Sequence, residues 1–137
     1  MYYIRIEMKN NIFIILNYLF FSSLIILLIL YLFPGSLIGY LFYGDLGRQP
    51  SIIINPIGTS INHFLFFFYL GILGSIVSIK EKKLINSFLF LFIISIILEL
   101  LHYFIPNRAF ELQDLLANSS GVIFANLIFK FFKKIVN

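Results

Sequence analysis

The sequence predicts an all-α membrane protein: a bundle of four transmembrane helices with an interfacial or partly re-entrant loop between helices 1 and 2. Three observations carry this. The chain is 61% hydrophobic and 12% charged, with a mean hydropathy of +1.00. A soluble domain is about half apolar and about a quarter charged, so this chain has far more apolar surface than it can hide inside itself. Four apolar runs alternate with polar or Gly/Pro-rich breaks. Finally, the cations fall in alternate breaks. One side would carry Arg5, Lys9, Lys80, Lys82, Lys83, Lys130, Lys133 and Lys134, and the other only Arg48 and Arg108.

The length of 137 residues suits a single integral membrane domain. Residues 1–10 are mixed in character, and Met8 offers a second candidate start. The first span, 11–33, is long enough to cross a hydrocarbon core, which takes about 20 apolar residues. It exceeds a signal-peptide core and lacks a small-residue cleavage site after it, so it reads as a retained helix. Asn17, Ser22 and Ser23 are read as its polar side chains and serve helix packing. Pro34-Gly35 ends it. Residues 34–60 are rich in Gly and Pro, yet their LIGYLFY and SIIIN tracts are too apolar for a solvated loop. Tyr40 and Tyr43 suit a membrane interface.

The second span is 61–79, with Gly71/Ser75 and Gly74/Ser78 forming a small-residue stripe for close helix approach. Lys80 to Lys83 make a tight charged turn. The third span is 84–104 and the fourth 115–132, where Ala117, Gly121 and Ala125 repeat every four residues. The positive-inside rule then places both termini and the 80–83 turn in the cytoplasm, and the 34–60 and 105–114 segments outside a cell (inner or cytoplasmic) membrane.

This topology brings polar residues of three segments to one depth. His63 starts the second span, Asp114 and Asn118 open the fourth, and Glu99 lies about five residues, or ~8 Å, below the outer end of the third. Glu99 is the only acid inside a predicted span. A charge there costs roughly 2.5–3.5 kcal/mol on insertion scales, so it requires a partner or a proton. His102 shares its helix face by i,i+3 spacing, and Asp114 and Asn118 share one by i,i+4. Arg108, between the two helices, is expected to reach back to Glu99 or Asp114.

Two accounts follow. In one, Glu99, Arg108 and Asp114 are a structural knot that neutralises itself. In the other, the knot also binds a ligand, with Glu99 and His102 as candidate catalytic groups and His63, Arg108, Asp114 and Asn118 as candidate ligand-binding groups. The imidazoles and carboxylates suit zinc or manganese, but no H-E-x-x-H or other zinc spacing is present, so neither a metal nor a cofactor is expected. With no Cys, disulfides, thiolate metal sites and Cys nucleophiles are excluded. No nucleophile elbow or Gly-rich phosphate loop occurs, and Ser119 and Ser120 read as packing residues. No basic patch has the spacing of a nucleic-acid reader. The expected partners are the bilayer and a lipid-linked or headgroup ligand, with a homo-oligomer left open. An assembly subunit or small transporter is the alternative, although the cytoplasmic halves of the spans lack the polar residues of a through path.

The pattern Glu99-x2-His102, Pro106-x-Arg108, Asp114-x3-Asn118-x2-Gly121 resembles the signature of the VanZ-like family of small multi-helix membrane proteins. Upstream, Thr59-Ser60-Ile61-Asn62-His63-Phe64, later followed by Leu70-Gly71, resembles that family's D-K-x-x-H-F helix start and its L-G. The resemblance spans roughly residues 55–125. His102 stands where Gln is usual, Thr59 and Ser60 where Asp-Lys is usual, and Ala125 where a second Gly often occurs. The founding member of the family is linked to low-level resistance to the glycopeptide teicoplanin. The resemblance implies an envelope-related role centred on the helix-top motif. The topology has a direct check: a reporter fused after Asn137 is expected to read cytoplasmic, and an external signal there would overturn the depth argument.

Overall fold

The computed structural model describes residues 2–50, 60–80 and 83–136, with side chains described for 11–50, 60–80 and 83–135. Among them are five α-helices: α1 (Tyr2–Leu32), α2 (Leu37–Tyr43), α3 (Ser60–Val77), α4 (Phe88–Leu101) and α5 (Leu112–Val136), with a 3-10 turn at Leu84–Asn86 before α4. The SIIIN tract, Pro56, Gly58, Thr59, Glu81, Lys82 and the side chains of Arg5 and Lys9 lie outside the described residues.

Helix α1 stops where Pro34 follows it, and Gly35 takes a left-handed φ of 85°. The chain then folds back on itself. Ser36 caps α2 by accepting the Gly39 N–H at 2.9 Å, and Gly44 ends that helix with a φ of 69°. Ser36 N–H bonds the Leu46 carbonyl, and the Arg48 guanidinium lies 3.8 Å from the Tyr43 ring centroid. Residues 36–48 are thus a closed loop, with Leu41 and Phe42 exposed.

Among the described residues, three helices are long and apolar enough to cross a membrane: α1 from Asn11, α3, and α5 to Ile135. The third run departs from expectation. Instead of one helix over 84–104, α4 has 14 residues, about 21 Å, against a hydrocarbon core of about 30 Å. The reason is local capping. Asn86 Oδ1 accepts the Lys83 N–H, and Ser87 adopts extended backbone and accepts the Phe90 N–H, so Ser87 is the N-cap and the helix begins at Phe88. Beyond Leu101 the chain turns, with Asn107 in the left-handed region at a φ of 58°.

Consecutive long helices alternate in direction. The end of α1, the start of α3, the end of α4 and the start of α5 meet at one pole, where Tyr31, His63, Glu99 and Asn118 touch. At the other pole, Lys80 Nζ lies over Phe13 and Lys83 Nζ over Phe21. The core between them is built from Phe20, Leu24, Leu27 and Tyr31 of α1, Phe67, Leu70 and Val77 of α3, Leu91 and Leu98 of α4, and Val122 of α5. Spacings of three, four and seven residues make one apolar stripe on each of α1, α3 and α4. The outward faces are apolar too, with Ile15, Leu65, Leu89 and Phe131 all exposed, as lipid-facing surfaces are.

Helices α3 and α5 approach most closely, through the small-residue stripes the sequence marks. A side chain at Gly121 would put its Cβ 2.5 Å from the Phe64 carbonyl oxygen and 2.9 Å from the Phe68 nitrogen. At Gly71 it would lie 2.6 Å from the Ala125 Cβ. Replacement of Gly121 by Ala must therefore push backbone apart, at a cost of about 1–3 kcal/mol. A lowered unfolding midpoint of G121A in detergent, with no change for G47A, is expected; Gly47 meets only Asp45 Oδ1, at 3.4 Å. An unchanged midpoint for G121A would show that α3 and α5 are not in contact at this depth.

Candidate functional site

The pole where four helix ends meet holds most of the buried polar side chains among the described residues: Ser60, Glu99, His102, Asp114 and Asn118, with Ser36 alongside. Each comes from a stripe that is apolar elsewhere. Glu99 continues the buried face of Leu91, Ser95 and Leu98, and Asn118 continues that of Val122 and Ala125. The site is therefore the polar end of the core itself.

Glu99 is fully buried. Its Oε1 accepts the Glu111 backbone N–H at 3.1 Å and lies 3.3 Å from His102 Nδ1, while Oε2 accepts from Asn118 Nδ2 at 3.4 Å. Asp114 accepts a short hydrogen bond from the Ser60 hydroxyl through Oδ1, and its Oδ2 is 3.6 Å from His63 Nε2. Ser60 occupies the position where the resembled pattern has Lys, and it meets Asp114 as a neutral donor. Asp114 also lies in the first turn of α5, where the helix dipole favours an anion.

Arg108 behaves differently from expectation. Among the described residues it makes no ion pair with Glu99 or Asp114. Instead its Nη2 donates to the Leu30 carbonyl at 2.6 Å and its Nε to the Phe33 carbonyl at 3.4 Å. It satisfies orphan carbonyls at the C-terminal end of α1, where a cation is favoured by the dipole. Burial lowers its pKa from the ordinary arginine value, against the opposing pull of Tyr31, Glu99 and Asp114.

The sequence reading passed over Tyr31, which is central. Its hydroxyl donates to Asn118 Oδ1 at 2.6 Å and meets His63 Nδ1 at 2.6 Å, and its ring stacks on His102 at 5.4 Å between centroids. The signal was present: Tyr31 follows Phe20, Leu24 and Leu27 on the buried stripe of α1, and a buried Tyr hydroxyl needs a partner. Ser60 was read only as a departure from the family pattern; its bond to Asp114 depends on tertiary structure.

A cavity of about 120 Å³ opens beside this cluster. Its wall includes Leu27, Leu30 and Phe66 on one hand and Tyr31, His63, His102 and Arg108 on the other. Of the six residues singled out in the sequence, His63, His102 and Arg108 line the cavity, whereas Glu99, Asp114 and Asn118 stand behind it. His102 Nε2 is buried and has no hydrogen-bond partner.

Fold and site together define a helical membrane protein whose polar centre is gathered from four helix ends. The VanZ/LLP1 family model matches residues 43–133, two-thirds of the chain and wider than the stretch that carried the resemblance, and the chain belongs to the VanZ-like family. No curated protein and no solved structure matches it.

Glu111 sits at the rim, and its pKa is raised from the ordinary glutamate value by partial burial and by the charges of Asp114 and Glu99. A raised carboxyl pKa means the folded state holds the proton more tightly. Its contribution to stability is complete below the ordinary value and is lost as pH rises through the folded one. The E111Q variant should therefore gain on wild type as pH is raised from about 4 to about 7, with thermal midpoints in detergent as the readout. A constant difference across that range would contradict it.

Proposed function

We propose that this chain is a four-pass protein of the cell membrane, both termini cytoplasmic, that recognises an amphipathic envelope component at the outer face. The ligand class is a lipid headgroup or a lipid-linked precursor. The observation that carries this reading is the composition of the cavity wall: Leu27, Leu30 and Phe66 can take an acyl or prenyl portion, and Arg108, His63 and His102 a polar one. A guanidinium has five N–H donors, and two are engaged by α1 carbonyls, so Arg108 retains donors for a phosphate or carboxylate. The charge asymmetry between the ends of the bundle supports an outer position for the cavity.

If the ligand is processed, His102 is the group presented to it. His102 borders the cavity, its Nε2 is buried without a hydrogen-bond partner, and its Nδ1 faces Glu99, an arrangement in which a carboxylate orients an imidazole for proton transfer. Glu99 is then a positioning residue. A second reading is favoured by the Arg108 bonds to Leu30 and Phe33: a non-enzymatic assembly subunit in which the polar cluster chiefly ties the helix ends together.

Lipids co-purifying with wild type and with Arg108→Gln separate the two. Ligand recognition predicts a lipid species, found by mass spectrometry on wild type, that is reduced about tenfold or more on R108Q at equal protein level, since a charged hydrogen bond is worth roughly 1.5–3 kcal/mol. Identical lipid profiles, or an R108Q protein that fails to accumulate, would instead favour the structural knot.

A further inference from the structure

We propose that His63, Glu99 and Asp114 form a binding site for a divalent first-row metal ion, with Zn2+ the preferred occupant. One ligand atom from each residue lies within 4.8 Å of the others, and the three come from three different helices. Two imidazole or carboxylate ligands on one helix turn would have left a sequence signature; one per helix leaves none.

The hydrogen-bond pattern carries the argument further, because protons can be counted. Asn118 Nδ2 donates to Glu99 Oε2, so Asn118 Oδ1 is the acceptor of the Tyr31 hydroxyl. A phenol has one proton. With that proton directed at Asn118, the Tyr31 oxygen must accept from His63 Nδ1–H. The other ring nitrogen of a neutral His63, Nε2, then aims its lone pair at the Asp114 carboxylate, 3.6 Å away. Two acceptors face each other, which is repulsive unless a cation lies between them. A proton on Nε2 would draw the pair to a charge-assisted contact of about 2.7–2.9 Å. Two ligands of one metal, each bonded at about 2.0–2.2 Å with a tetrahedral angle, lie about 3.4 Å apart. The 3.6 Å between His63 and Asp114 is nearer the second arrangement, and the Glu99 ligand atom lies within 4.8 Å of both.

Charge balance points the same way. Two carboxylates are buried here, and among the described residues Arg108 bonds the α1 carbonyls and makes no ion pair with either carboxylate. The donors that reach the carboxylates from described residues, Ser60, Asn118, the Glu111 N–H and His102 Nδ1, are neutral groups or an imidazole. A divalent ion would offset both charges. Each prospective ligand is also oriented from behind, His63 by Tyr31, Asp114 by Ser60 and Glu99 by Glu111 and His102, as metal ligands are. Imidazole with two carboxylates suits zinc, and three protein ligands leave a fourth position open. His63 belongs to both the triad and the cavity wall, so a bound ion sits beside the cavity. The site does not depend on the cavity's ligand being a lipid.

The test uses the full chain in detergent, stripped with a chelator and titrated with Zn2+, and with Co2+ as a spectroscopic reporter. Wild type should bind about one ion per chain and give the visible absorption of Co2+ in a low-symmetry nitrogen–oxygen site. His63→Gln and Asp114→Asn should weaken binding roughly 100-fold, and Tyr31→Phe, which removes the hydroxyl that supports His63 and bonds Asn118 but no ligand atom, about tenfold. Ser22→Ala, whose hydroxyl bonds the Leu19 carbonyl one turn back, should bind like wild type. Absence of saturable binding by folded wild type would overturn the proposal, as would variants that bind as tightly as wild type. If H63Q or D114N does not fold, wild-type stoichiometry and the Y31F shift decide it. An R108Q protein that loses lipid but keeps the ion would separate this site from the lipid reading.

Discussion

Two carboxylates buried at one pole of an apolar bundle are the constraint on which the rest of the structure depends. Glu99 and Asp114 lie where water is scarce, so most of the neighbouring polar side chains are recruited to them or to their partners. Ser60, His63, His102, the Glu111 N–H and Asn118 come from α3, α4, α5 and the linker between the last two. Tyr31 brings α1 into the same network through Asn118 and His63. No helix can leave this pole without stranding a buried donor or acceptor, which costs about 1–3 kcal/mol for each neutral group and more for a charged one.

Precision at the pole comes from the apolar part below it. Gly121 and Gly71 let the backbones of α3 and α5 come together, and this contact sets His63 of α3 against Asp114 of α5. Because small residues, with little side-chain freedom to lose, face each other there, the separation of the two helices is set by backbone contact. Polar specificity and close packing are consecutive segments of the same helix faces: Asp114, Asn118, Gly121 and Ala125 run along one side of α5.

The wall of the cavity is assembled differently. Helix α1 supplies Leu27, Leu30 and Tyr31, the closed 36–48 loop supplies Ser36, Leu37 and Ile38, and Arg108 enters from the 102–111 linker. Arg108 therefore has two attachments, to the α1 carbonyls and to the cavity, and any ligand that pairs with it also bears on the end of α1. The three residues behind the wall hold the network, while His63, His102 and Arg108 line the cavity.

While the pairing of α3 with α5 came from the tertiary structure, apolar periodicity, the helix-ending Pro34-Gly35 and the small-residue stripes made the long helices, their close-packing faces and the common end of the bundle shared by His63, Glu99, His102, Asp114 and Asn118 legible from the residues alone. These follow from local backbone chemistry and from spacing along one helix face, both of which are written linearly. The family signature was legible because its spacings are short and linear, within α5, across the end of α4 and in the linker that carries Pro106 and Arg108. The start of α4 was not, because the Asn86 and Ser87 caps outcompeted an unbroken apolar run. The partners of Arg108, the place of Tyr31 and the gathering of one ligand each from three helices were decided only in three dimensions. An unpaired carbonyl, a single phenolic proton and a distance between helices are properties of neighbours far apart in the chain. No pattern within one segment encodes them.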